Sequence, residues 1–370
     1  MNLRVDPGRD NGLGRRCPRR GAKGVEMIRS LRLRNFKSFA DAEVCFDRFT
    51  LVLGANGAGK SNLFDALRFL KSVGDGSSVR DAIEGHLSST LPGTAVNGVR
   101  GGRLALTNTR SDSSEFSIEA AFESEDGEEL CYAVAVDVKT LRVVREELSS
   151  SWHSGKYVYK IDPRPDRHPD SSDTDVSYHK NVGRGRNPKS VFSANEFVLS
   201  QFRSRRASSK DNERVADSLR KELKSLAPLV LEPEVLRGYS TPSRHQIGEH
   251  GEHFAAAVSR MRHSSDSEQW EIVGAWLLGA DEQGVTDLDV EQSPTGEVIV
   301  AVQESGQPRA LLAPSVSDGT LRYIAFAMMT VGADKPRILL VEELENGINP
   351  AKMSELIEMI AAAASSESRT

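Results

Sequence analysis

Residues 49–70 read FTLVLGANGAGKSNLFDALRFL, and the fold turns on how this stretch is understood. An apolar run, Phe49 to Leu53, leads into a glycine-rich turn, then a lysine and a serine, then residues at helical spacing. Gly54, Gly59, Lys60 and Ser61 satisfy the phosphate-loop pattern G-x-x-x-x-G-K-[ST]. Glycines let the backbone wrap closely and turn successive N–H groups inward onto phosphate oxygens. A helix starting at about Lys60 adds its positive end. Lys60 supplies a point charge, and Ser61 offers a hydroxyl to a magnesium ion. The pattern predicts a buried strand over Phe49–Leu53, a phosphate-binding loop, and a helix from about Lys60 to Lys71. A plain glycine-rich turn between strand and helix is the alternative.

Two later segments bear on the same chemistry. In RILLVEELENGINP, four apolar residues, Ile338 to Val341, precede Glu342 and Glu343. A buried parallel strand ending in carboxylates beside a phosphate loop is how a nucleotide's magnesium is held. Glu342 is placed to bind the ion through water, and Glu343 to polarise the attacking water as general base. In SVSDGTLRYIAFAMM, a Ser-Asp-Gly turn opens an apolar helix. Ser317 offers a hydroxyl and Gly319 an unhindered N–H, with the helix end behind them, which makes a second anion-binding surface. One chain needs a single phosphate cradle, so the second suits the site of another subunit. The alternative is an ordinary helix cap made by Ser317 or Asp318.

Composition sets the frame. The chain has 370 residues, 38% hydrophobic and 27% charged, so a sizeable core is possible. No apolar run reaches the roughly 18 residues of a membrane helix, and Tyr323–Ala333 reads as a buried helix. The three cysteines, Cys17, Cys45 and Cys131, are far apart and read as incidental thiols of a reducing, cytoplasmic setting. Net charge is −5, yet residues 1–38 carry eleven Lys/Arg against three acids. The first 26 residues lack a signal-peptide core and read as a disordered basic extension. Between Lys180 and Lys210 lie eight basic residues, Lys180, Arg184, Arg186, Lys189, Arg203, Arg205, Arg206 and Lys210, against Glu196 alone. This stretch suits phosphate contact or a solvated loop, and the absence of interleaved aromatics argues against base stacking.

From Met27 the pattern becomes regular. MIRSLRLRNF alternates as a half-buried strand, and AEVCF follows as another. Residues 74–102 are Gly/Ser-rich and read as loop. RLALTN, EFSIEAAFES, LCYAVAVDV, LRVVREEL and KYVYKI then read as antiparallel hairpins. Residues 162–190 are polar and proline-rich, an expected mobile insertion. Helices are expected near 194–204, 211–225, 249–263 and 267–278, and strands at VTDLDVEQ and EVIVAVQE. The expected organisation is the extension 1–26, an ATPase lobe over 27–160, a polar insertion and helical subdomain over 161–280, and a lobe over 281–370 carrying the Ser-Asp-Gly turn and the paired acids.

In order and spacing, the three motifs resemble the ABC-type ATPases of the RecF/SMC kind, and most closely the stand-alone bacterial AAA-family ATPases related to the OLD family. The resemblance runs from Met27 to Ala364 and includes LRLRNFKSF, SNLFDALRFL, GEHFAAAV, SDGTLR and VEELENGINP. It implies an α/β P-loop NTPase with an ABC-ATPase-like head, an antiparallel β subdomain and a helical subdomain. It implies that Gly54, Ala55, Asn56, Gly57, Ala58, Gly59, Lys60, Ser61 and Asn62 bind ATP as the Walker A segment, with Lys60 catalytic. Ser61 and Glu342 would hold Mg2+, with Glu342 as the Walker B acid, and Glu343 would be the catalytic glutamate. Ser317, Asp318 and Gly319 match the signature that grips nucleotide on an opposing subunit, and Glu345–Pro350 match the segment lining that interface. Asn35, Phe36 and Lys37 sit where relatives approach the adenine, and Gln201 is the candidate Q-loop glutamine. Leu344 stands where the family usually has proline and Asn349 where it usually has histidine. The family continues into a central strand ending in a γ-phosphate-sensing histidine. The sequence ends at ASSESRT before it, which implies a fragment, a truncated product or a strand borrowed from a partner.

The implied function is an ATP-dependent, dimerising switch in repair, DNA maintenance or anti-phage defence, beside a nuclease or other effector and away from membranes. A nucleotide-binding scaffold without turnover is the alternative. A transporter subunit fits less well, because the signature lacks the glycine pair typical there.

Overall fold

The computed structural model describes residues 27–365, apart from 88–94, 97, 125–126, 152–156, 163–172, 179–186, 203–208, 245, 265–266, 279–283 and 332–337. Within it the chain divides into two compact units, Met1–Leu226 and Ala227–Thr370.

The first unit is built on an eight-stranded antiparallel sheet. Its strands are β1 (Met27–Phe36), β2 (Phe39–Cys45), β5 (Glu115–Glu123), β6 (Glu129–Asp137), β7 (Arg142–Ser150), β8 (Tyr157–Asp162), β9 (Asp173–Tyr178) and β10 (Lys189–Ser193). They run in the order β10-β9-β8-β7-β6-β5-β1-β2. A two-residue pair, β3 (His86–Leu87) with β4 (Ala95–Val96), stands apart. Period-two alternation places each side chain. On β5, Phe116, Ile118, Ala120 and Phe122 are buried while the residues between them are not. On β1 a register shift between Ile28 and Ser30 lets both Ile28 and Leu31 face inward. The other face carries charges in cross-strand pairs: Arg32 with Asp41, and Arg34 and Arg145 both with Glu119.

Helix α1 (Lys60–Asp75) covers the apolar face through Leu63, Ala66, Leu67, Phe69, Leu70 and Val73. Phe69 meets Phe116 and Phe197 edge to face, with centroids 5.4 and 5.7 Å apart. Three more helices, α2 (Val79–Glu84), α3 (Val198–Gln201) and α4 (Lys210–Lys224), complete the unit. Ser78 caps α2 and Ser209 caps α4, each accepting an N–H three residues on.

The second unit contains β11 (Leu226–Leu229), which begins at the division and pairs with β15 (Ile338–Val341). It also holds the antiparallel sheet β12 (Val285–Gln292), β13 (Val298–Glu304) and β14 (Leu311–Leu312). Its helices are α5 (Pro233–Leu236), α6 (Phe254–Arg262), α7 (Ser267–Leu278), α8 (Asp318–Val331) and α9 (Pro350–Ser365). The core gathers β13, α6 and α8, and Tyr323 to Met329 are all buried, as expected of an apolar helix. No helix among the described residues is long and apolar enough to cross a membrane.

Several expectations are corrected. Residues 49–53 form no strand, and Phe49, Leu51 and Leu53 are exposed. A strand needs a neighbour for its backbone groups, and among the described residues none pairs with this run. Strand β15 is half-buried throughout, not buried. Residues 74–102 contain α2 and the β3–β4 pair, and residues 162–190 contain β9. RLALTN opens as a short 3-10 turn over Gly102–Ala105. Cys131 is a free thiol, in line with the reading of incidental thiols, whereas Cys45 is disulfide-bonded and departs from it.

A buried carboxylate marks the centre of the first unit. Glu146 on β7 accepts N–H groups from Val198 and Leu199 at 2.6 and 2.9 Å and the Tyr159 hydroxyl at 2.9 Å. It thereby fixes the start of α3. Burial pushes its pKa from 4.5 to about 7, against the opposing pull of those donors. A raised carboxylate pKa favours the folded state fully below about pH 4.5, and that contribution is lost as pH rises to about 7. The two values imply a loss of about 3 kcal/mol. Urea denaturation from pH 5 to pH 8 should show falling stability in the parent and a flatter profile in Glu146→Gln. Parallel profiles would contradict the assignment.

Candidate functional site

The glycine-rich loop opens α1 within the first unit. Gly59, just before the helix, has φ +95° and is buried; a Cβ there would lie 2.7 Å from the Ser38 hydroxyl. Both conditions select glycine. Gly57 is also left-handed, at φ +80°. The loop closes on itself through Ala58 N–H to the Ala55 carbonyl, 3.1 Å. Lys60 reaches back over it, its ammonium donating to the carbonyls of Gly54 at 2.5 Å and Ala55 at 3.1 Å. Gly54 to Ala58 are exposed, whereas Lys60, Ser61 and Asn62 are half-buried in the first helical turn. Asn62 donates to Ser38 at the tip of the β1–β2 hairpin, 2.8 Å.

Beneath this loop lies a cluster that the sequence did not announce. Asp65, 1% exposed, is paired with Lys37, with Arg68 at 2.9 Å and with Arg100 at 2.9 Å. Lys37 also donates to the Arg100 carbonyl at 2.7 Å, and Arg100 to the Ser61 carbonyl at 2.6 Å. The hairpin tip, the first turns of α1 and the segment before Gly102 are thus tied to one carboxylate. The residues expected near an adenine are engaged in the fold. Phe36 is buried against Phe116, Lys37 holds Asp65, and Asn35 donates to the Ser113 and Glu115 carbonyls. Gln201 closes its own turn, its amide bonded in both directions to Ser193 at 3.0 Å.

Glu342, Glu343 and Ser317–Gly319 belong to the second unit. Glu342 continues β15, its N–H donating to the Leu229 carbonyl at 3.3 Å. At Glu343 the backbone turns left-handed, φ +55°, an uncommon conformation for a side chain this size. The kink ends the strand direction and leaves Glu343 exposed while Glu342 stays half-buried. Ser317 caps α8, accepting the Thr320 N–H at 3.1 Å. Asp318 pairs with Arg237, which also donates to the Val316 carbonyl at 3.1 Å. Gly319 packs so closely that a Cβ would run into the Gly347 carbonyl. The turn at Ser317–Gly319 and the loop after the acids are therefore in direct contact. Arg322 strengthens that contact by donating to the Asn346 carbonyl. Asn349 accepts the Ala351 N–H at 3.0 Å and caps α9 ahead of Pro350, a use for asparagine at this position. Leu344 packs against the core. Of the basic stretch, only Lys189 and Lys210 lie among the described residues.

All the proposed ligand atoms are of the kinds that phosphate and magnesium take: loop N–H groups, an ammonium, a hydroxyl and carboxylates. The family described as "AAA domain, putative AbiEii toxin, Type IV TA system" matches residues 49–370, and the chain belongs to it. The chain thus carries an AAA domain, here an α/β fold with a large antiparallel sheet. A "DNA double-strand break repair Rad50 ATPase" of Thermoplasma volcanium is 48% identical over 44 residues, 12% of this chain and 5% of that one. A "Chromosome partition protein Smc" of Synechocystis sp. is 33% identical over 105 residues, 28% of this chain and 8% of that one. The chain thus spans a small part of each relative. A solved structure of "the recombination mediator protein RecF-ATPrS in RecFOR pathway" covers 91% of each chain at 11% identity, with a TM-score of 0.39.

The cluster under the loop carries a prediction. Asp65→Ala removes the buried carboxylate that Lys37 pairs with and should cost about 3–5 kcal/mol, read as a lower urea midpoint. A loss below about 1 kcal/mol would show that the cations find other partners.

Proposed function

We propose that the chain binds ATP on the segment Gly54–Asn62 and works as a dimerising, ATP-hydrolysing switch in DNA-linked processes. The observation that carries this is the loop itself: left-handed glycines at positions 57 and 59, Lys60 folded over the loop, and a 16-residue helix directly behind. Successive N–H groups and the helix end favour a polyphosphate there. Lys60 exchanges the two loop carbonyls for phosphate oxygens. Ser61 in the first unit and Glu342 in the second are each proposed as Mg2+ ligands, an ion whose chemistry is to neutralise phosphate charge. Glu343 takes a proton from the attacking water.

Ser317, Asp318 and Gly319 contact the nucleotide held by a second copy. Ser317 accepts from its own helix, so its hydroxyl proton remains available to Thr320 or to an anion. Likeness to segments of Rad50 and Smc supports work on DNA, and the eight basic residues of Lys180–Lys210 are the proposed phosphate-contacting stretch. A partner effector such as a nuclease, in repair, maintenance or defence against phage, belongs to the same proposal.

Nucleotide binding and ATP turnover test this reading. Lys60→Ala should abolish binding of ATP. Glu343→Gln should keep binding, lower turnover by about 100- to 10,000-fold, and accumulate an ATP-bound dimer visible by light scattering. ATP consumption equal to the parent in Glu343→Gln would leave a nucleotide-binding scaffold. Undiminished binding in Lys60→Ala would remove the nucleotide site altogether.

A further inference from the structure

We infer that Asn346 is a positioning residue for Glu343, held in place from the Ser317 turn through Arg322. The inference rests on the proposed role of Glu343 and adds the means by which its carboxylate is aimed. Three contacts carry it. The Asn346 amide donates to Glu343 Oε2 at 2.5 Å. The Asn346 N–H donates to the Glu343 carbonyl at 3.0 Å, so backbone and side chain brace the same residue. Arg322 donates to the Asn346 carbonyl, tying that brace to α8.

The geometry shows why such a brace is needed. Glu343 is exposed and sits at φ +55°. An exposed carboxylate on a flexible stem samples many rotamers, and a general base must stay within hydrogen-bond reach of one water. A neutral amide is suited to such a brace, because it donates to the carboxylate and brings no competing charge. The second anchor has its own cause. Gly319 and Gly347 pack backbone to backbone, and the Arg322 guanidinium, one turn into α8, lies over the same loop. Arg322 Nε is buried and has no hydrogen-bond partner among the described residues. The hydrogen bond of the Arg322 side chain goes to the loop carbonyl of Asn346. A displacement of the Ser317 turn on gripping a neighbour's nucleotide would be passed through Arg322 and Asn346 to the Glu343 carboxylate. The two ends of the second unit's site would answer to each other within one chain.

Steady-state hydrolysis with the full chain tests this. Asn346→Ala should lower kcat by about 100-fold with KM for ATP nearly unchanged, and Asn346→Asp, which sets a second carboxylate beside Glu343, should be at least as slow. Placed on top of Glu343→Gln, Asn346→Ala should lower kcat no further, because the brace acts only through the Glu343 carboxylate. Parent-like kcat in Asn346→Ala, with Glu343→Gln inactive, overturns the inference and leaves the proposed function standing. A further fall in kcat in the double variant also overturns it, because Asn346 would then act independently of Glu343. Parent-like turnover in Glu343→Gln removes both.

Discussion

The carboxylate of Asp65 is the constraint on which the first unit depends. It is almost fully buried and sits among three cations drawn from separate parts of the chain. A charge so placed is tolerable only with its partners present, so the hairpin tip, the start of α1 and the segment at Arg100 come as a set. The loop before Lys60 inherits that rigidity. Its glycines bend freely, but the helix at one end and Ser38 beneath Gly59 are fixed. In the proposed function, a loop that holds a multiply charged ligand in one geometry gains from such a base, because little ordering is left for binding to supply.

The second unit uses a different device. Its core is a nearly all-apolar packing of α6, α8 and β13, and the polar loops at the ends of α8 and β15 are fastened by close backbone contact. Gly319 against Gly347 leaves no room for a side chain. Arg322 and Asn346 then extend the contact to Glu343. Asp318 is tied separately to Arg237. The same glycine thus serves packing here and, in the proposed function, close approach to a nucleotide. Selection for either would keep it, which is why the motif alone could not say which was at work.

Much of this was legible in the residues themselves. The G-x-x-x-x-G-K-S spacing located the loop and α1 to the residue at the start, because lysine, glycine and helix onset are local requirements of one backbone path. The alternation in EFSIEAAFES and LCYAVAVDV pointed to the antiparallel strands, since a sheet with one buried face repeats every second residue. The apolar block after Ser317 pointed to a buried helix. Misreadings fell where structure depends on a neighbour distant in sequence. FTLVL has strand composition, but a strand exists only with a partner beside it, and RLALTN curls into a turn.

Sequence alone determined the class of protein, the glycine-rich loop that opens α1 and the acidic strand end, because each is a short pattern written within a few residues. Tertiary structure decided what those patterns rest on. The Lys37–Asp65–Arg100 cluster joins residues up to 63 positions apart, and the contact of Gly319 with Gly347 joins two loops separated by a helix and a strand. Glu146 is one ordinary acid in LRVVREEL until folding removes its water and gives it two backbone N–H groups and a tyrosine hydroxyl. Periodicity marks which face of an element is buried, but which distant residues meet there, and which acid loses its water, is decided only by the folded chain.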